Sequence, residues 1–198
     1  MNDTYLTISA PAEGLFKDKG SKFIAYAYPI KTENALKQHI QTLKKEHFNA
    51  RHHCYAFMLG AEKQQYRAND DGEPSGTAGK PILGQIQSNN LTNIGIVVVR
   101  YFGGTLLGTS GLINAYREAA ADALANAAIV EEIVTLQYNI AFPYEQMNTV
   151  MKIVKDLDMK VLSQGFDTVS TITVEIRKSN IDEALTKFEK LGIQVNSH

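Results

Sequence analysis

This chain offers little for covalent or membrane chemistry: it has one cysteine, no apolar run of membrane-spanning length and no surplus of positive charge. Cys54 finds no second cysteine for an internal disulfide, which fits a reducing compartment, and its spacing matches no cysteine metal site. The opening MNDTYLTISA has neither a basic n-region nor an apolar h-region, and no stretch approaches the roughly 18 apolar residues of a membrane helix. A cytoplasmic protein with no membrane partner is expected. Lys and Arg number 13 against 13 Asp and Glu over residues 1–135, and 7 against 8 over residues 136–198. A protein holding duplex nucleic acid mainly by counterion release would carry a basic region. Any nucleic-acid contact must therefore be local. Lys17, Lys19 and Lys22, near a turn, form such a patch, although a short charge run is ordinarily only a solvated face.

What the chain does have is glycine, concentrated where charge is interleaved. Nine glycines fall within residues 70–111, seven of them in two loops, DDGEPSGTAGKP and RYFGGTLLGTSG. Glycine permits positive φ and close approach to the main chain, which suits an anion or ligand site better than a plain connector. At 198 residues and 44% hydrophobic content, the chain can bury a core in one large or two small domains.

Periodicity places the elements. Leu6 and Ile8 suggest a first strand and residues 21–30 a second, with a hairpin turn at Asp18-Lys19-Gly20. Thr32 caps a helix to about His47, with Ala35, Leu36, Ile40 and Leu43 at helical spacing. Residues 52–59 read as a strand and residues 77–89 as a helix. The run IGIVVVRY over residues 94–101 predicts a central strand covered on both faces. A long alanine-rich helix over 109–128 follows, its alanines permitting close packing. Beyond a boundary near Glu132, the order is strand 134–142, helix 144–157, strands 160–166 and 168–177, helix 181–191 and strand 193–195. That is a ferredoxin-like βαββαβ order, so the chain divides into domains 1–132 and 133–198 of an α+β protein. Gly192 is read as the glycine that ends the last helix.

In the second loop, Arg100, Tyr101, Gly103 and Gly104 end a strand, and Thr109 and Ser110 open a helix. Free amides at a helix start, beside a guanidinium, attract phosphate or carboxylate. The spacing approaches a P-loop, but Thr109 stands where the phosphate-reaching lysine would be, which excludes an NTPase reading. In the first loop, Asp70, Asp71 and Glu73 precede Ser75, Gly76, Thr77, Gly79 and Lys80, with Gly72 between the acids. Three carboxylates beside an anion seat would hold Mg2+ if they converged. The same acids equally serve a helix dipole, with Ser75 or Thr77 as cap, so no cofactor is assigned. On a strand, His52 and Cys54 face one side and His53 the other, which excludes a common metal; Cys54 reads as core. His53 is placed to hydrogen-bond to the loop. No nucleophile with its base is legible, and no catalytic residue is assigned.

The two loops, with KGSKF at 19–23, HCYA at 53–56 and residues 111–116, resemble the YigZ/IMPACT family in its bacterial two-domain form. The resemblance implies an N-terminal domain of the ribosomal protein S5 domain-2-like type, its sheet backed by helices on one side. It also implies a small ferredoxin-like domain similar to one in elongation factor G. Eukaryotic relatives regulate translation initiation through protein contacts made largely by an added RWD segment, which this chain does not show; a dipeptidase label attached to some relatives finds no matching ligand set. The expectation is a noncatalytic translation-associated regulator contacting RNA, the ribosome or a translation factor through residues 71–73, 75–77, 79–80, 100–101, 103–104 and 109–110. The alternatives are an enzyme acting with Mg2+ on a phosphorylated or nucleotide-like small molecule, and a protein-binding adaptor with no ligand.

Overall fold

The β-branched run at the centre of the chain organises everything around it. In the computed structural model, which describes residues 3–166 and 169–197, the chain forms two units. One is Tyr5–Glu132; the other is Ile133–His198 together with Met1–Thr4. The fold is α+β.

In the larger unit, strands β2 (Ala12–Asp18), β3 (Ser21–Pro29), β4 (His52–Leu59), β5 (Gln65–Asn69) and β6 (Ile94–Tyr101) form one sheet. Its order is β2-β3-β6-β4-β5, with every neighbouring pair antiparallel. A separate ribbon pairs β1 (Thr4–Ile8) with β7 (Ile129–Ile133). Strand β6 is buried from Ile94 to Arg100 because both faces are covered. Ile94, Ile96 and Val98 pack with Ile82 and Ile86 of α2 (Gly79–Ser88) and Tyr116, Ala119 and Ala123 of α3 (Gly108–Ala125). On the other face, Val97 packs with Leu36 and Leu43 of α1 (Glu33–Glu46). The pattern of residues thus reads correctly, and the one-sided helical backing implied by the resemblance does not hold. Thr32 caps α1 as expected, its hydroxyl accepting the Ala35 N–H at 3.2 Å. The alanines of α3 do allow close packing: a Cβ on Gly14 would sit 2.2 Å from the backbone nitrogen of Ala123.

Three strands escape the sequence pattern. The hairpin at Asp18–Gly20 joins β2 to β3 rather than the Leu6–Ile8 strand to its successor. Strand β5 and strand β7 are mostly exposed and lack an apolar period. The register carries the important consequence. Asp18 pairs with Ser21, Lys22 with Tyr101, His52 with Arg100, and Tyr55 with Asn69. One rim of the sheet therefore collects the β2–β3 turn, both glycine loops, the C-terminal end of α1 and the N-terminal ends of α2 and α3.

The smaller unit runs β8 (Thr135–Phe142), α4 (Met147–Asp156), β9 (Lys160–Phe166), β10 (Ser170–Arg177), α5 (Ile181–Glu189) and β11 (Gln194–Ser197). A short 3-10 turn at Tyr144–Gln146 leads into α4. Residue 168, the predicted start of the third strand, lies outside the described residues. The sheet order is β11-β8-β10-β9, all antiparallel. Ile140, Phe142, Ile172 and Val174 pack on one face against Val150 and Val154 of α4 and Ala184 and Phe188 of α5. Gly192 follows α5 with φ +69°, as its position predicts. The opposite face is polar: Ser163 donates to Thr173 at 2.9 Å, and Thr173 to Asn139 at 2.8 Å.

Candidate functional site

The first glycine loop turns its acids inward. Asp70 accepts the backbone N–H groups of Gly76 at 2.8 Å, Ala78 at 3.1 Å and Gly79 at 2.8 Å, so its carboxylate sits at the N-terminus of α2. Burial pushes its pKa up, but the three N–H donors outweigh that and hold it below the ordinary value. The helix start that would take a ligand anion is thus occupied by the protein's own. The cap is Asp70, not Ser75 or Thr77: Thr77 is buried and donates its hydroxyl to the Pro74 carbonyl at 2.6 Å. Gly79 allows this helix to close on the end of β5, since a Cβ there would meet the Asn69 nitrogen at 2.4 Å. Ser75 and Lys80 remain exposed, and Gly76 is half-buried.

Asp71 and Glu73 go elsewhere. Asp71 accepts the His53 backbone N–H at 2.6 Å and faces Lys44 at 3.9 Å, while its carbonyl contacts His52 Nδ1 at 2.8 Å. The loop contact therefore uses the main chain of His53 and the ring of His52; the His53 ring is buried with Nε2 unpartnered. Gly72 turns the loop at φ +87°. Glu73 is 9% exposed and accepts from Arg100 Nη1 at 2.6 Å and the Tyr116 hydroxyl at 2.7 Å. The three carboxylates do not converge. Among the described residues, no group of three His, Cys, Asp or Glu side chains is placed to hold a metal ion.

Arg100 is 6% exposed, and its guanidinium lies 5.5 Å from the Phe23 ring centroid and 5.6 Å from that of Phe102. One of its nitrogens is thus committed to Glu73, although Nε has no partner. Cys54 is fully buried; its thiol lies 3.0 Å from the Asp70 carbonyl oxygen and 3.3 Å from the Tyr116 hydroxyl. Burial pushes both the thiol and the Tyr116 phenol upward in pKa, which keeps them protonated and removes Cys54 as a nucleophile.

The second loop is built differently. Gly103 lies so close to the β2–β3 turn that a Cβ would fall 1.9 Å from the carbonyl carbon of Gly20, and its N–H donates to the Ser21 hydroxyl at 3.1 Å. This contact holds the β2–β3 turn, which carries Lys17, Lys19 and Lys22, against the loop. Gly104, Thr109 and Ser110 are exposed, and no side chain caps α3. Its first turn contains no acidic residue. Phe102 is 50% and Leu106 83% exposed.

One feature of the rim had no local signal in the chain. His47, after the last turn of α1, hydrogen-bonds through Nε2 to Tyr26 and through Nδ1 to Tyr101, both at 2.8 Å. Tyr101 was legible as a residue of the second loop, but His47 lies 54 positions before it and Tyr26 another 21, and only strand register brings the three together.

Comparison with known proteins follows the same division. The Impact N-terminal domain family matches residues 19–124. IMPACT family member YigZ of Escherichia coli is 32% identical over 187 residues, which cover 93% of this chain and 92% of that protein. An IMPACT family member of Haemophilus influenzae is 36% identical, covering 83% and 84%. A solved structure described only as a hypothetical protein superposes with a TM-score of 0.77 at 30% identity, covering 100% of this chain and 98% of the other. The match over residues 19–124 and relatives at 32% and 36% identity along most of both chains place this chain in the IMPACT family.

Proposed function

We propose that this chain is a noncatalytic, cytoplasmic, translation-associated regulator that contacts RNA through the rim of its larger domain. We take that domain as a variant of the ribosomal protein S5 domain-2-like type, with α1 covering the second face of its sheet, and the smaller one as ferredoxin-like. The observation that carries the reading is the contact of Gly103 with Gly20, which holds the β2–β3 turn, with its three lysines, against the loop that leads into an uncapped helix. Amide donors, a helix dipole and ammonium groups along one rim suit a phosphate backbone. Exposed Phe102 and Leu106 add apolar surface for unstacked bases. The family's eukaryotic members regulate translation initiation, which supports the setting.

The first loop supports this surface from within. Asp70, Glu73, Thr77, Gly79 and Arg100 act as its scaffold, while Gly104, Thr109 and Ser110 meet the ligand. The open face of the smaller sheet is a ladder of Ser, Thr and Asn, so base stacking falls to the larger domain.

The test is sedimentation of the tagged protein from lysate on a sucrose gradient, with and without RNase, beside a Lys17→Ala/Lys19→Ala/Lys22→Ala variant. Co-migration with ribosomal particles that RNase abolishes and the variant weakens is expected. Migration as free protein throughout would overturn the reading and favour a small anionic ligand.

A further inference from the structure

We infer that the exposed face of the β2–β3 hairpin is a pocket for one unpaired nucleotide of an RNA strand, so that the protein selects single-stranded over duplex RNA. The inference rests on the RNA reading above and deepens it. It starts from register: Lys17 pairs with Lys22, Leu15 with Ile24, and Glu13 with Tyr26. Paired residues on neighbouring strands point to the same side, so these six side chains form a ladder running from cationic through aliphatic to a carboxylate and a phenol.

Two cavities lie along that ladder and share Lys22. One, of about 390 Å3, is formed by the β2–β3 turn from Lys17 to Lys22. The other, of about 500 Å3, is lined by Leu15, Ile24, Tyr26, His47 and Glu13, with Asp122 and Asn126 closing its edge. The charge gradient orients an occupant. A phosphate belongs at the lysine end, and an uncharged heterocycle belongs at the end where Glu13 would repel a second phosphate. The wall for that heterocycle is held in place: Tyr26 and His47 are hydrogen-bonded to each other, and His47 to Tyr101. A fixed aromatic wall loses no rotamer freedom on binding. The edge polar groups are already committed, since Asp122 accepts the Leu15 N–H at 2.8 Å and Asn126 donates to the Glu13 carbonyl at 2.8 Å. A base paired within a duplex cannot enter such a groove, whereas an unpaired one can.

The experiment measures binding of the full chain, by fluorescence anisotropy, to a short single-stranded RNA and to the duplex of the same sequence. It is repeated with Leu15→Glu, a change at a residue 43% exposed that places a carboxylate mid-ladder. The single strand is expected to bind about tenfold more tightly, the preference to vanish in Leu15→Glu, and 4-thiouridine crosslinks to fall within β2 and β3. Equal binding of the two RNAs, or a preference that survives Leu15→Glu, overturns the nucleotide pocket and leaves the rim reading standing. No binding of either RNA by the unaltered protein overturns both.

Discussion

The two glycine loops share composition and a position on one rim, yet they are used in opposite ways. In the first, Asp70 fills the N-terminus of α2 and Glu73 holds Arg100 and Tyr116. In the second, the N-terminus of α3 has no side-chain cap, and residues 102–106 before it are exposed. A glycine-rich loop with charges is therefore not in itself a ligand site. What decides is whether the protein already supplies the counter-charge. The loops also depend on each other, because Phe102 of the second covers the guanidinium that Glu73 of the first holds.

The contrast breaks most sharply under substitution of a buried partner. Arg100→Ala leaves the Glu73 carboxylate buried without its cation and is expected to cost about 3–5 kcal/mol of stability, read by urea denaturation. Thr109→Ala on the open loop should stay within about 0.5 kcal/mol of the parent. An equal loss at the two positions would erase the distinction between scaffold and surface.

Within the second loop, two adjacent glycines separate attachment from exposure. Gly103→Ala forces its Cβ against the Gly20 backbone and should cost about 3 kcal/mol. Gly104→Ala meets no atom within 4 Å and pays only for φ +89°, about 1 kcal/mol. Thermal unfolding of the pair ranks them.

The smallest effect sharpens the role of Asp70. Its folded pKa is lowered, so the stabilisation it contributes is present above the ordinary carboxylate value of 3.8 and is lost as pH falls through the lower, folded value. Asp70→Asn should therefore be less stable than the parent by about 1 kcal/mol at neutral pH. That gap should close on acidification below about pH 4. A gap that widens with acid would contradict the capping role.

Much of this arrangement was legible in the chain, and the failures share one cause. The capped helix after Thr32, the doubly covered run at residues 94–101 and the buried Cys54 follow from local period and residue type. Strands β2 and β5 were not legible, because an edge strand such as QYRAN is held by pairing with its neighbour rather than by its own apolar pattern. The destination of Asp70 was equally hidden. Its N–H partners lie six to nine residues ahead, in a loop that folds back on itself, and no local capping rule spans that distance. The Tyr26–His47–Tyr101 chain needs the register of the sheet before it can be seen at all.

The central claim is that the lysines of the β2–β3 turn contact phosphate at the open loop. The most direct measurement is the salt dependence of single-stranded RNA binding by the parent and by the Lys17→Ala/Lys19→Ala/Lys22→Ala variant. Each phosphate contact contributes a slope of about 0.7 in log affinity against log salt on single strands, so losing three contacts should flatten the slope by about 2. An unchanged slope, with affinity equal to that of the parent, would contradict the account.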